Sequence, residues 1–180
     1  MTLRSAWLLL LLLVGCGGAA PETKTYDLGL SAPGTALPAL RVGTVRAVAP
    51  FDANDMQYRL AYRNAAEIAV FAASRWAATP AEMFRKQLLR AANEKSGRCI
   101  LDVEIQEFTQ VFSAKEASDA RIELRAWLAA GPSRVATRGW SIVEPNAGPD
   151  AASGAAALAR ATDRAIGELG AWIAAQTDCR

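Results

Sequence analysis

The chain contains no histidine. That removes Ser-His-Asp and Cys-His nucleophilic chemistry and most zinc sites, because both depend on imidazole. It has no block of basic residues, and its formal charge is only +2. Nucleic-acid binding therefore has no electrostatic footing. No glycine-rich phosphate loop is present, so any nucleotide chemistry would belong to another chain. Neither internal repeats nor a second domain can be discerned, and no cofactor is expected. The one unbroken apolar run, Ala6 to Val14, is well short of the roughly 20 residues that a spanning helix needs.

That short run is informative in another way. Arg4 precedes it, giving the positive start and apolar middle of a signal peptide. It ends in Leu13-Val14-Gly15-Cys16, the pattern of a bacterial lipobox. Small residues before the cysteine fit a signal-peptidase cleft. The Cys16 thiol is then alkylated by lipid, and the new amino group is acylated after cleavage. Several acyl chains anchor stably where one gives marginal binding. The alternative cut after Gly18-Ala19-Ala20 would leave Pro21 as a poor new N-terminus. Residue 17 is Gly and not Asp, which favours the outer membrane. The expected organisation is a signal peptide over 1–15, a lipidated flexible tether over 16–25 and a folded domain over 26–180. The domain would face the periplasm.

Cys99 and Cys179 remain once Cys16 carries lipid. Two thiols in an oxidising compartment invite a disulfide, with two separate buried thiols as the other reading.

Tyr26 to Leu30 reads as a short strand, Ser31 to Pro38 as a loop and Leu40 to Val48 as a longer strand. Gln57–Tyr62 and Glu67–Phe71 read as a hairpin bent at residues 63–66. Thr79-Pro80-Ala81-Glu82 is a capping box with proline at the first helical position, and the helix it opens should run to about Glu94, ended by Ser96-Gly97. From Cys99, Leu101, Val103 and Ile105 alternate with Asp102, Glu104 and Gln106. The apolar side then changes parity at Phe108 and Phe112, which predicts a bulge near Glu107. Ile122, Leu124, Ala126 and Leu128 form a second strand, and Val135–Val143 a third after a Gly131-Pro132-Ser133 turn. Asp150 can cap a last helix to about Gln176 with an apolar stripe through Leu158, Thr162, Ile166, Leu169 and Trp172/Ile173. The order βββ(β)-α-βββ-α predicts an α+β domain: an antiparallel or mixed sheet with two main helices packed on it.

Read in order, several segments resemble the ABC-type transport auxiliary lipoproteins, the intermembrane transport lipoprotein family. The resemblance starts at Cys16 and continues through Tyr26 and Leu28, the Leu40–Val48 strand leading into Pro50, and Gln57-Tyr58-Arg59-Leu60. Trp76-Ala77 followed by Pro80 and Leu88-Leu89 is its most specific part. The strand Leu101–Phe108 ending in Glu-Phe, the Arg121–Leu128 strand and the Trp172 helix complete it. It implies a non-catalytic lipoprotein on the outer membrane. Such a protein would serve a lipid transport system built from an ATPase, a permease and an MCE-domain periplasmic protein, and could form homo-oligomeric rings. Cys99 and Cys179 lie outside the family pattern, so the disulfide rests on the thiols alone. A structural lipoprotein that binds peptidoglycan or an outer-membrane assembly machine is the alternative.

Six residues are candidates for partner or oligomer contacts. Trp76 has the residue type of an interface anchor, or else clamps the first helix to the sheet. Trp127 alternates onto the charged side of its strand with Arg121, Glu123 and Arg125, which suggests a covered surface, or else a lone exposed tryptophan. Phe108 and Phe112 could line an apolar surface or belong to the core. Arg59 and Arg63, with Arg75, could meet a partner or lipid headgroups, or lie on a solvated face. The carboxylate pairs Asp52/Asp55 and Asp102/Glu104 are the only candidates for acid–base work, and charged faces in solvent explain both.

Overall fold

The computed structural model describes residues 22–29, 36–92, 97–146 and 148–179. The signal peptide and Cys16 lie outside these residues, as does Ser96. The short strand β1 (Lys24–Tyr26) is followed by β2 (Arg41–Ala47) and β3 (Asp55–Leu60). A single helical turn, α1 (Ala61–Asn64), leads into β4 (Ala69–Trp76) and then α2 (Pro80–Ala91). Three long strands, β5 (Cys99–Ala114), β6 (Ala117–Ala130) and β7 (Ser133–Pro145), precede α3 (Ala151–Ala174) and a 3-10 turn at Thr177–Cys179.

The strands form one seven-stranded mixed sheet in the order β1-β4-β3-β5-β6-β7, with β2 also on β5. β5 is long enough for two parallel partners end to end along one side. β2 pairs with its first half (Arg46 beside Glu104), and β3 with its second half (Arg59 beside Val111). Its other side carries β6 antiparallel, and β6 carries β7. The register of β5 against β6 shifts between Ile105 and Glu107. This is the bulge implied by the change of parity, and it lets Leu101, Val103, Ile105, Phe108 and Phe112 all enter the core.

Helices α2 and α3 cover the same face of the sheet. Phe84 and Leu88 of α2 are fully buried, as are Ala161 and Leu169 of α3, against Ile122, Leu124, Ala126 and Leu128 of β6. The apolar stripe expected on the last helix, Ala155 through Ile173, is buried throughout. At Gly97 a Cβ would overlap the backbone of Leu40. The α+β architecture with helices on a mixed sheet is the one expected.

The capping box is present as read. Glu82 N–H donates to Thr79 Oγ1, and the Glu82 carboxylate accepts from Thr79 N–H at 3.0 Å. The bonds that the carboxylate accepts from the Thr79 N–H and the Thr79 hydroxyl favour its charged form and hold its pKa below the ordinary glutamate value. An acid whose pKa is lowered on folding stabilises the fold above its unfolded pKa. That contribution is lost as pH falls through the lower, folded value. Glu82→Gln is therefore expected to leave α2 less stable at neutral pH and to flatten the acid limb of the unfolding curve. Circular dichroism against pH reads both; an unchanged acid limb would contradict this role for Glu82.

Four local expectations need correction. Lys24 and Thr25, assigned to the tether, pair in parallel with Ser74 and Arg75 of β4, so the first strand ends at Tyr26 and does not begin there. Asp27 accepts from Gly29 N–H, and Gly29 takes a positive φ of 68°, which turns the chain out of the strand. In the hairpin, Tyr62 lies in α1, and the second strand is Ala69–Trp76 because it pairs with both β3 and β1. Finally, α2 stops at Ala91 and the last helix at Ala174, each earlier than the apolar pattern alone suggested.

Candidate functional site

The sheet face opposite the helices is open over β6 and β7 and carries most of the charge. Alternation and register place cross-strand rows on it. One row is Asp102–Trp127–Thr137, the next is Arg46–Glu104–Arg125–Gly139, and the next is Glu107–Glu123–Ser141. Trp127 is half-buried on this face, as its alternation with Leu124 and Leu128 implied. The Arg134 guanidinium lies 5.6 Å from the Trp127 ring centroid, a cation–π distance. Around them is an open cleft of about 460 Å³ lined by Thr44, Arg46, Asp102, Trp127, Pro132 and Arg134.

Three carboxylates of this face are engaged. Asp102 Oδ1 accepts from Thr44 N–H at 2.7 Å, closing the bulge of β2 onto β5. Glu104 pairs with Arg46 at 2.6 Å and also accepts from Gln106. Glu107 takes both arms of Arg59, at 2.8 and 2.9 Å, and a hydrogen bond from the Thr109 hydroxyl at 2.6 Å. The bond to Glu107 is the main cause that raises the Arg59 pKa above its ordinary value. Asp102 and Glu104 thus hold strands together. Asp52 and Asp55 are exposed near the turn between β2 and β3.

Arg59, proposed as a partner contact, is turned inward by this fork-shaped pair, with side-chain exposures of 18% for Arg59 and 12% for Glu107. Arg59→Met would leave Glu107 half-enclosed without its counter-charge. The expected loss is about 2 kcal/mol, between the values for exposed and fully buried pairs. A urea titration reads it, and Arg59→Met/Glu107→Gln should recover part of the loss. No recovery would show that packing of the arginine stem is what matters.

Three more candidates move to the core. Trp76 is buried (1% exposed), with its ring edge-on to Phe108 at 5.6 Å. Phe108 and Phe112 are buried too, Phe112 edge-on to Tyr58. None of the three presents a surface to a partner in this fold. The bulge turns both phenylalanines to the buried side of β5, Phe108 into the main core and Phe112 against Tyr58, and β4 delivers Trp76 to the core at its last residue. Arg63, on α1, is exposed, as is Arg75 on β4. Cys99 and Cys179 are disulfide-bonded, with Cα atoms 5.2 Å apart.

Sequence reading passed over Thr44, Arg46, Thr109 and Arg134. The first two reach Asp102 and Glu104 only through the parallel pairing of β2 with β5, which leaves no local signal. Among the described residues, no group of three or more His, Cys, Asp or Glu side chains could hold a metal. Nor is any described helix long and apolar enough to cross a membrane.

No family model and no curated protein matches the chain. Solved structures do. The chain is similar to protein XCC0632 from Xanthomonas campestris, a DUF330 protein, with a TM-score of 0.66 and 22% identity over 84% of this chain and 90% of that one. It is also similar to an uncharacterized protein, with a TM-score of 0.63 and 15% identity over 84% of this chain and 99% of that one. At these identities the likeness is one of fold.

Proposed function

We propose that this chain is a non-catalytic lipoprotein of the outer membrane that serves an ABC-type intermembrane lipid transport system by docking its MCE-domain periplasmic protein. Lipid on Cys16 holds it at the membrane, and the domain presents its open sheet face to the partner. The observation that supports this most is the make-up of that face. Its carboxylates Asp102, Glu104 and Glu107 are tied up in contacts that hold the sheet. Trp127, half-buried beneath Arg134, meanwhile sits among charged and polar side chains, in a row with Asp102 and Thr137 and next to Arg125. A large aromatic beside arginine is what protein interfaces favour at their centres. The lipobox and the order of segments shared with the auxiliary lipoproteins supply the compartment and the class of partner.

The test is photocrosslinking in cells from positions 127 and 63, both accessible, with mass spectrometry of the products. Crosslinks to an MCE-domain protein are the expected result. Crosslinks to cell-wall or barrel-assembly components instead would replace this reading with that of a structural lipoprotein. Intact mass spectrometry of the mature chain should find acyl chains on Cys16, and a mature chain carrying none would overturn the anchor.

A further inference from the structure

β7 is the last strand at one end of the sheet. In an antiparallel pair, successive residues turn their N–H and C=O groups alternately toward and away from the neighbouring strand. Just past β7, Asn146 N–H donates to Ser118 O at 3.1 Å, so even-numbered positions here face β6. The register runs without a shift from Ala136 to Pro145. The odd positions therefore face outward. The carbonyls of Val143 and Pro145 bear this out, because Arg164 and Arg160 of α3 bond to them from outside the sheet at 3.3 and 2.8 Å.

An open strand edge invites pairing with other chains, and proteins protect edges with charge, proline, bulges or covering elements. One end of β7 has three such devices: Arg160, Arg164 and Pro145, which has no N–H to offer. The other end has an irregularity in register against Leu128 and Ala129. Between them, Thr137, Gly139 and Ser141 are exposed, and their outward backbone groups have no partner among the described residues.

Gly139 has no role in the fold that would require glycine. Its φ is not positive, and a Cβ there would meet only Leu124 O, at 3.7 Å. A glycine inside a strand is otherwise a mark of close approach by another backbone. It also leaves open the space beside Arg125, its cross-strand partner on the open face. Over residues 133–141 and their β6 partners, the charged groups are Arg125, Arg134 and Arg138 against one carboxylate, Glu123.

We propose that the outer edge of β7 from Thr137 to Ser141 takes up an extended acidic segment of a partner protein as an eighth strand. The backbone groups of Thr137, Gly139 and Ser141 supply the ladder. Arg125, reaching across Gly139 on the open face, selects carboxylates at alternate positions of the incoming strand, whose side chains share that face. A second copy of the same edge fits less well, since it would set Arg125 against its own counterpart across two glycines. The inference goes beyond the transport reading, and its failure would leave the crosslinking test untouched.

The experiment uses the mature chain and a capped hexapeptide of alternating glutamate and valine. Its controls are a lysine–valine peptide and a copy N-methylated at every amide, which leaves neither edge of the strand able to donate. Expected are saturable amide shifts and slowed hydrogen exchange at Thr137, Gly139 and Ser141 with the acidic peptide, weakening as salt rises. The N-methylated copy should not bind, and Arg125→Glu should weaken binding about tenfold, as reversing one exposed contact implies. Equal binding of the lysine peptide, or no slowing at the three residues, would overturn the proposal. So would a free chain that sediments as a dimer with these amides already protected, which would mean that the edge is filled by a second copy.

Discussion

Removing the Cys99–Cys179 bond is expected to lower the thermal midpoint by about 10 °C. The bond joins residues 80 apart in sequence. For a closed loop of that length, the chain-entropy model puts the stabilisation at about 4.5 kcal/mol, near the top of the range for native disulfides. A realised value of about 3 kcal/mol, at roughly 3 °C per kcal/mol for a domain of this size, gives the stated shift. The location supports a large effect. Cys99 is the first residue of β5 and fully buried, while Cys179 lies in the turn beyond α3. The bond therefore pins the end of α3, where Trp172 and Ile173 pack, to the central strand. Cys99→Ala/Cys179→Ala avoids burying a hydroxyl in place of each sulfur. Its melting curve should coincide with that of the reduced wild type, and hydrogen exchange should quicken first over residues 172–179. A midpoint unchanged by reduction, with both thiols titrated as free, would mean that packing alone holds the end of α3.

Trp76→Ala and Trp127→Ala are expected to differ by several kcal/mol, although both remove an indole. Trp76 is buried against Phe108, and its backbone N–H closes onto Asn54 O at 2.8 Å. Truncation leaves a cavity where β4 meets the core, at a cost of about 3–5 kcal/mol. Trp127 is half-exposed and gives up mainly its contact with Arg134, so its loss should cost about 1 kcal/mol or less. Urea titrations with matched m-values would read the difference directly. In the crosslinking experiment the order reverses: position 127 should report a partner and position 76 nothing. Equal destabilisation by the two would mean that Trp127 is as much part of the packing as Trp76.

These two tryptophans mark the boundary of what could be read from the chain alone. Local pattern carried the capping box at Thr79–Glu82, the apolar stripe of α3, the bulge before Phe108 and the placing of Trp127 on the polar side of its strand. Each is a statement about residues a few positions apart, where helix and strand periods translate directly into faces. The same reasoning missed the length of β4, whose run Ala72-Ala73-Ser74-Arg75 has no apolar alternation and is held as a strand by neighbours on both sides.

The sequence by itself determined the absence of histidine chemistry, the α+β order of elements and the inward faces of β5, β6 and α3, and it carries the Leu13–Cys16 pattern on which the proposed anchor rests. Periodicity and residue chemistry are sufficient for those. Only the tertiary structure decided that β2 and β3 lie end to end along β5, setting Arg46 on Glu104 and Arg59 on Glu107. It also decided that Phe108, Phe112 and Trp76 are core, that Cys99 meets Cys179, and that β7 is left with an open edge. All of these depend on which strands become neighbours. That choice is made by non-local pairing and by burial of whole faces, and it leaves no trace in the spacing of residues along the chain.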